Sequence, residues 1–177
     1  MTFVRLNTSM GDIVIELAVK TAPVTSENFL SYVKSGHYDG TIFHRVIAGF
    51  MIQGGGMDVD MNEVKVGEKE PIQNEANNGL KNHKYAVAMA RTSDPHSATD
   101  QFFINTHENE FLNFTGETPR GWGYAVFGRV VEGKAVVDKI ENVDTLSRSY
   151  HDDVPEEPVI INKAEVLPED YEPSWEK

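Results

Sequence analysis

From Thr2 to Thr8 and from Asp12 to Leu17 apolar and polar positions interleave, with Phe3, Val4 and Leu6 and then Ile13, Ile15 and Leu17 on either side of a Ser-Met-Gly-Asp turn. That near two-residue period predicts a β-hairpin. Thr21-Ala22-Pro23 then supplies a cap candidate and a proline for a first turn, Phe29, Tyr32 and Val33 recur at helical spacing, and Gly36 closes a first helix. Thr41 to Val46 and Phe50 to Gln53 read as a second strand pair. Further strands are expected near Tyr85 to Ala90, Gln101 to Asn105, Ala125 to Val130 and Val159 to Val166. After Gly133, Val136, Val137 and Ile140 share one face while Lys134, Asp138 and Glu141 point away, which predicts a second helix. About eight strands and two helices without regular βαβ alternation predict a mainly β protein: an eight-stranded antiparallel closed β-barrel capped by two α-helices.

Two long stretches show no regular period, Gly54 to Lys84 and Thr106 to Gly123. Loops of that length in a compact chain are usually functional, and Phe111, Leu112, Phe114 and Trp122 in the second offer an apolar wall for a binding surface. The 177 residues, 40% of them hydrophobic, suit one domain over 1–167. Residues 168–177 form an acidic, proline-punctuated C-terminal tail expected to be solvated.

Charge and composition remove several function classes. A net charge of -12 disfavours nucleic acid and anionic membranes as partners, since both are held by Lys and Arg. The absence of cysteine excludes thiolate catalysis and disulfides. Six histidines without His-x₃-His or His-Glu-x-x-His spacing predict no metal, and no dinucleotide, P-loop or Gly-x-Ser-x-Gly pattern occurs, so no cofactor is expected. The N-terminal residues lack a basic-then-apolar layout, and no stretch is apolar enough to span a bilayer; both lead to the expectation of a cytoplasmic protein. With no heptad or exposed apolar stripe, a monomer is expected.

The chemistry is concentrated in Phe43-His44-Arg45-Val46-Ile47-Ala48-Gly49-Phe50-Met51-Ile52-Gln53-Gly54-Gly55. On a strand, Arg45 faces opposite to His44 and Val46, and Phe50, Met51 and Gln53 follow on the neighbouring strand. Gln101 and Phe103, two apart, supply a second amide and aromatic on one face. A guanidinium and amides over apolar rings suit a short, extended, carbonyl-rich apolar ligand. Singly they decide nothing: an arginine in a strand is more often a surface charge, a Phe-Phe pair more often core, and Gly54-Gly55-Gly56 more often a plain turn.

FHRVIAGFMIQGG, followed by QFFI, FLN and VFGRVVEG in that order, resembles the cyclophilin family of peptidyl-prolyl cis-trans isomerases from about Phe3 to Val166. The segment Asn113 to Tyr124 is similar to the bacterial cytosolic branch. The resemblance implies an isomerase acting on X-Pro bonds to assist protein folding, with proline-containing segments of client proteins as partners. It also implies that Arg45, Phe50 and Gln53 are catalytic, and that Met51, Ala90, Arg91, Gln101, Phe103, Phe111, Leu112 and Tyr124 bind substrate. Within that set Arg91 replaces a familiar asparagine, Phe111 a tryptophan and Tyr124 a histidine. Loss of the indole N–H implies weakened affinity for cyclosporin-type cyclic peptides. Two other readings stand beside this one: a binding module that only holds proline segments, and a carrier with a ligand inside the barrel.

Overall fold

The computed structural model describes residues 1–175. Their strands are β1 (Thr2–Thr8), β2 (Gly11–Leu17), β3 (Arg45–Ile47), β4 (Met51–Gly54), β5 (Ala86–Met89), β6 (Phe102–Asn105), β7 (Val126–Glu132), β8 (Thr145–Arg148), β9 (His151–Pro155) and β10 (Ile161–Val166). Eight of them form one antiparallel sheet in the order β10-β1-β2-β7-β5-β6-β4-β3. Register shifts at Asn7/Thr8, Val14/Ile15 and Val87/Ala88 add the local twist that lets a sheet curl. Its two edges meet along a short seam. The chain ahead of β3 bonds to the chain entering β10, through an Ile42–Ile160 bridge, Phe43 N–H to Val159 O at 3.0 Å and Ile161 N–H to Thr41 O at 2.8 Å.

The two faces of this sheet carry different side chains. Ile15, Val87, Phe102, Ile104, Phe127 and Ile52 join one buried interior cluster, while their neighbours Ala86, Ala88, Phe103, Val126 and Met51 join a separate cluster on the other face. The two-residue period therefore splits the Phe102-Phe103 pair, one ring inside the barrel and one outside.

Helix α1 (Pro23–Lys34) sends Phe29, Leu30, Tyr32 and Val33 into the interior cluster and packs on β7 and β10; α2 (Lys134–Glu141) adds Val137 and Ile140 and packs on β2, β3 and β4. Proline occupies the first turn of α1 as expected, but the cap differs. Thr21 does not cap it; Ala22 stands at the cap position, and the Glu75 carboxylate reaches in from the loop instead. Glu75 accepts from the Thr25 N–H and hydroxyl, both at 2.6 Å, and from the Val24 N–H at 3.3 Å. A carboxylate is favourable there because it meets orphan N–H groups at the positive end of the helix dipole.

Two further features were not in the sequence reading. Strands β8 and β9 form a separate hairpin whose turn residues Ser149 and Tyr150 have φ of 49° and 66° without a glycine or asparagine. Its residues are mostly exposed, so no alternation announced it. The tail, expected to be solvated, docks: Tyr171 and Trp175 set their rings edge-on to Phe3 at 5.7 and 6.0 Å. The Tyr171 hydroxyl donates to the Glu132 carboxylate at 2.7 Å, and the Ser174 N–H donates to the same group at 2.7 Å. Burial works to raise the Glu132 carboxyl, but these bonds outweigh it and hold the group below its usual range. Among the described residues no helix is long and apolar enough to cross a membrane.

Candidate active site

The outer cluster of β4, β5, β6 and β7 forms the floor of a concavity of about 140 Å³ lined by Arg45, Phe50, Met51, Gln53, Ala90, Arg91, Phe103, Leu112 and Tyr124. Strand register brings the set together. Arg45 lies directly opposite Gln53 across β3–β4, and Gln53 lies opposite Phe103 across β4–β6. Side chains opposed in this way project from the same face of the sheet. Met51 and Phe103, both nearly buried, present an apolar floor, and Phe50 follows the turn closed by its own N–H bonding to Ile47 O at 3.1 Å.

Polar groups stand on one side of that floor. The Gln53 amide nitrogen donates to Gln101 Oε1 at 3.0 Å, while its own oxygen lies 3.5 Å from Arg45 Nη1, a long contact that leaves the exposed guanidinium free to donate elsewhere. Gln101 is not in the first concavity but in an adjoining one of about 160 Å³ that shares Gln53, Ala90 and Arg91 with it. Arg91 forms the partition: its Nε donates to Gly123 O and its Nη1 to Thr92 O, each at 2.9 Å, and its guanidinium lies 4.6 Å from the Tyr124 ring centre. Tyr124 in turn meets Phe103 edge-on at 5.8 Å. Phe111 stands apart from the other expected residues. Its ring is 74% exposed and packs at 5.7 Å on Phe50, on the rim rather than in the lining.

Beneath Arg45, His44 is buried, with Nδ1 lacking a partner. Burial, with the charges of His151 and Arg45, pushes its imidazole down from about 6.5 to about 4, so it is neutral under ordinary conditions. Arg45 and Arg91 then carry the positive charge among the described residues that line the concavity.

Sequence reasoning missed the supports of the site. Asn82, Asn105 and Asn109 are almost fully buried and bond to the backbone behind Phe50, Leu112 and Tyr124. Buried asparagines at the ends of irregular loops would have been the available signal, because such amides are kept only where every bond is met.

Fold and surface define an antiparallel barrel with a shallow apolar site, edged by a guanidinium and amides, on its outer face. Residues 3–166 match the family model described as cyclophilin-type peptidyl-prolyl cis-trans isomerase/CLD. The chain is 63% identical over 167 residues to peptidyl-prolyl cis-trans isomerase cyp18 of Streptomyces antibioticus, covering 94% of this chain and 99% of that one. It is 56% identical over 163 residues to peptidyl-prolyl cis-trans isomerase B of Escherichia coli, covering 92% and 98%. A crystal structure of a Cryptosporidium parvum cyclophilin-type isomerase in the presence of the dipeptide Ala-Pro superposes with a TM-score of 0.75 at 28% identity, covering 94% of this chain and 99% of that one. The chain belongs to the cyclophilin-type peptidyl-prolyl cis-trans isomerase family. It is an enzyme of that class, and its reaction is rotation about X-Pro peptide bonds.

Proposed function

We propose that the outer-face concavity is where an X-Pro bond is turned, that Arg45 stabilises the twisted bond, and that the enzyme assists the folding of client proteins. The observation that carries this reading is the placing of the Arg45 guanidinium at the edge of the floor made by Phe50, Met51, Phe103 and Leu112. Uncatalysed rotation faces a barrier of about 18–20 kcal/mol because the C–N bond has partial double-bond character. In the half-rotated bond the prolyl nitrogen becomes pyramidal and regains its lone pair, which a guanidinium N–H can then meet. That bond is stronger in the transition state than in either ground state, and only such a difference accelerates the step.

A rate gain of about 10⁵ needs roughly 7 kcal/mol, more than one hydrogen bond supplies. The remainder comes from holding the proline ring on the apolar floor while Gln53 and the Ala90 backbone fix the rotating segment. No nucleophile or proton transfer is called for. The Ala-Pro dipeptide named with the Cryptosporidium parvum relative supports a proline-containing peptide as ligand.

The test is the cis-to-trans rate of a short Ala-Pro-Phe peptide with the wild type and Arg45→Ala, after circular dichroism shows both folded. A fast wild type and a variant slowed by one hundredfold or so, a loss of about 3 kcal/mol, is the expected result. An Arg45→Ala variant as fast as the wild type would remove the arginine from the mechanism.

A further inference from the structure

Behind the apolar floor three asparagine side chains are linked head to tail. The Asn109 amide nitrogen donates to Phe50 O and to Asn105 Oδ1, both at 2.8 Å. The Asn105 amide nitrogen donates to Ala86 O and to Asn82 Oδ1, both at 3.0 Å. The Asn82 amide nitrogen donates to Leu112 O at 3.2 Å and lies 3.3 Å from Tyr124 O. Every amide in the chain donates to at least one backbone carbonyl, which can only accept, so none can flip without setting its own oxygen against a carbonyl oxygen. Exposure of 1%, 0% and 2% for Asn82, Asn105 and Asn109 means that no solvent could replace a lost bond.

The chain touches backbone at Phe50, Leu112 and Tyr124, three walls that stand on three separate segments and have no ladder bonds to one another. Leu112 and Tyr124 are joined by one further bond, Tyr124 N–H to Leu112 O at 2.9 Å, whereas among the described residues the Phe50 carbonyl accepts from the Asn109 side chain at 2.8 Å and from the Thr106 N–H at 3.0 Å. We infer that Asn82, Asn105 and Asn109 form a positioning chain for isomerisation, in which Asn109 acts through Phe50 to set the spacing of the proline-binding walls. This rests on the site proposed above. A buried donor aimed at a carbonyl holds that backbone position, and in a site that works by positioning a misplacement of about 1 Å is costly. The segment from Thr106 to Tyr124, which carries little regular structure, is thereby tied at Leu112 and Tyr124 to Asn82 and through Asn105 to the sheet.

A double-mutant cycle separates this role from general support of the fold. Asn109→Ala and Phe50→Ala, alone and together, are compared for kcat/KM on the Ala-Pro-Phe peptide and for their urea unfolding midpoints. Asn109→Ala is expected to lower kcat/KM about tenfold in the wild-type background and less than about twofold when Phe50 is already Ala, because interacting residues are non-additive. Where Asn109→Ala does not fold, the cycle is run with Asn109→Leu, which is close in volume and removes both donors without burying a charge. Equal fold losses in the two backgrounds, or no loss in a folded wild-type background, would overturn the positioning role while leaving the site standing. A wild type with no activity on the peptide would remove the site reading and this inference with it.

Discussion

Gly56 lies so close beneath Gln101 that a Cβ at position 56 would stand 2.5 Å from Gln101 Cγ and 2.6 Å from its Nε2. The absence of a side chain at Gly56 is therefore what leaves room for the Gln101 amide to bond with Gln53 at 3.0 Å.

Gly56→Ala should push the Gln101 side chain away and break its 3.0 Å bond with Gln53. The fold should survive, because the obstructed atoms belong to a side chain at the edge of a groove. We expect kcat/KM to fall about fivefold, in line with the loss of one neutral hydrogen bond of about 1 kcal/mol. Peptide isomerisation rates checked against unchanged circular dichroism decide it; a wild-type rate would show that the amide pair does not contribute.

Tyr124 is held by its backbone, N–H to Leu112 O at 2.9 Å and O to Asn82, and lends its ring to Arg91 and Phe103. Tyr124→Ala keeps the backbone bonds and removes the ring. The expected outcome is an intact fold with activity reduced about twofold to fivefold, the size of a partly exposed cation-π contact of about 0.5–1 kcal/mol. Unfolding of this variant would instead assign the ring to the core.

His44 makes stability depend on pH. The unfolded chain takes up a proton at this side chain near its ordinary value of about 6.5, whereas in the fold it does so only at about 4. Between those values the unfolded state binds more protons, so stability is complete above about pH 7 and falls as pH drops through the window, by about 3 kcal/mol in all. Urea midpoints of wild type and His44→Gln measured from pH 7 to pH 4 should diverge, the wild type losing more. Parallel profiles would mean that another group governs the acid limb.

Truncation after Leu167 removes Tyr171 and Trp175 from Phe3 and the tail's bonds from Glu132. The site is built from other elements. The shortened chain should therefore unfold about 1–3 kcal/mol more easily, the cost of exposing one large ring and losing a charged hydrogen bond, with kcat/KM unchanged. Denaturant titration paired with the peptide assay measures both; a loss of activity at full stability would connect the tail to the site.

The sequence by itself determined which face residues take on the strands that alternate. Alternation placed Gln101 and Phe103 together and Arg45 opposite His44, and the helical spacing of Phe29, Tyr32 and Val33 marked the buried side of α1. Such patterns are local, because a strand or helix repeats its direction every few residues whatever it packs against. Tertiary structure decided what depends on chain segments returning from afar. The Thr41–Ile161 seam that closes the sheet, Glu75 capping a helix fifty residues earlier, the tail on Phe3 and the Asn82–Asn105–Asn109 chain join polar or isolated residues that have no period to read. Their bonds exist because buried donors and acceptors must be matched, and which partner does so is settled only when the barrel brings the two segments within reach.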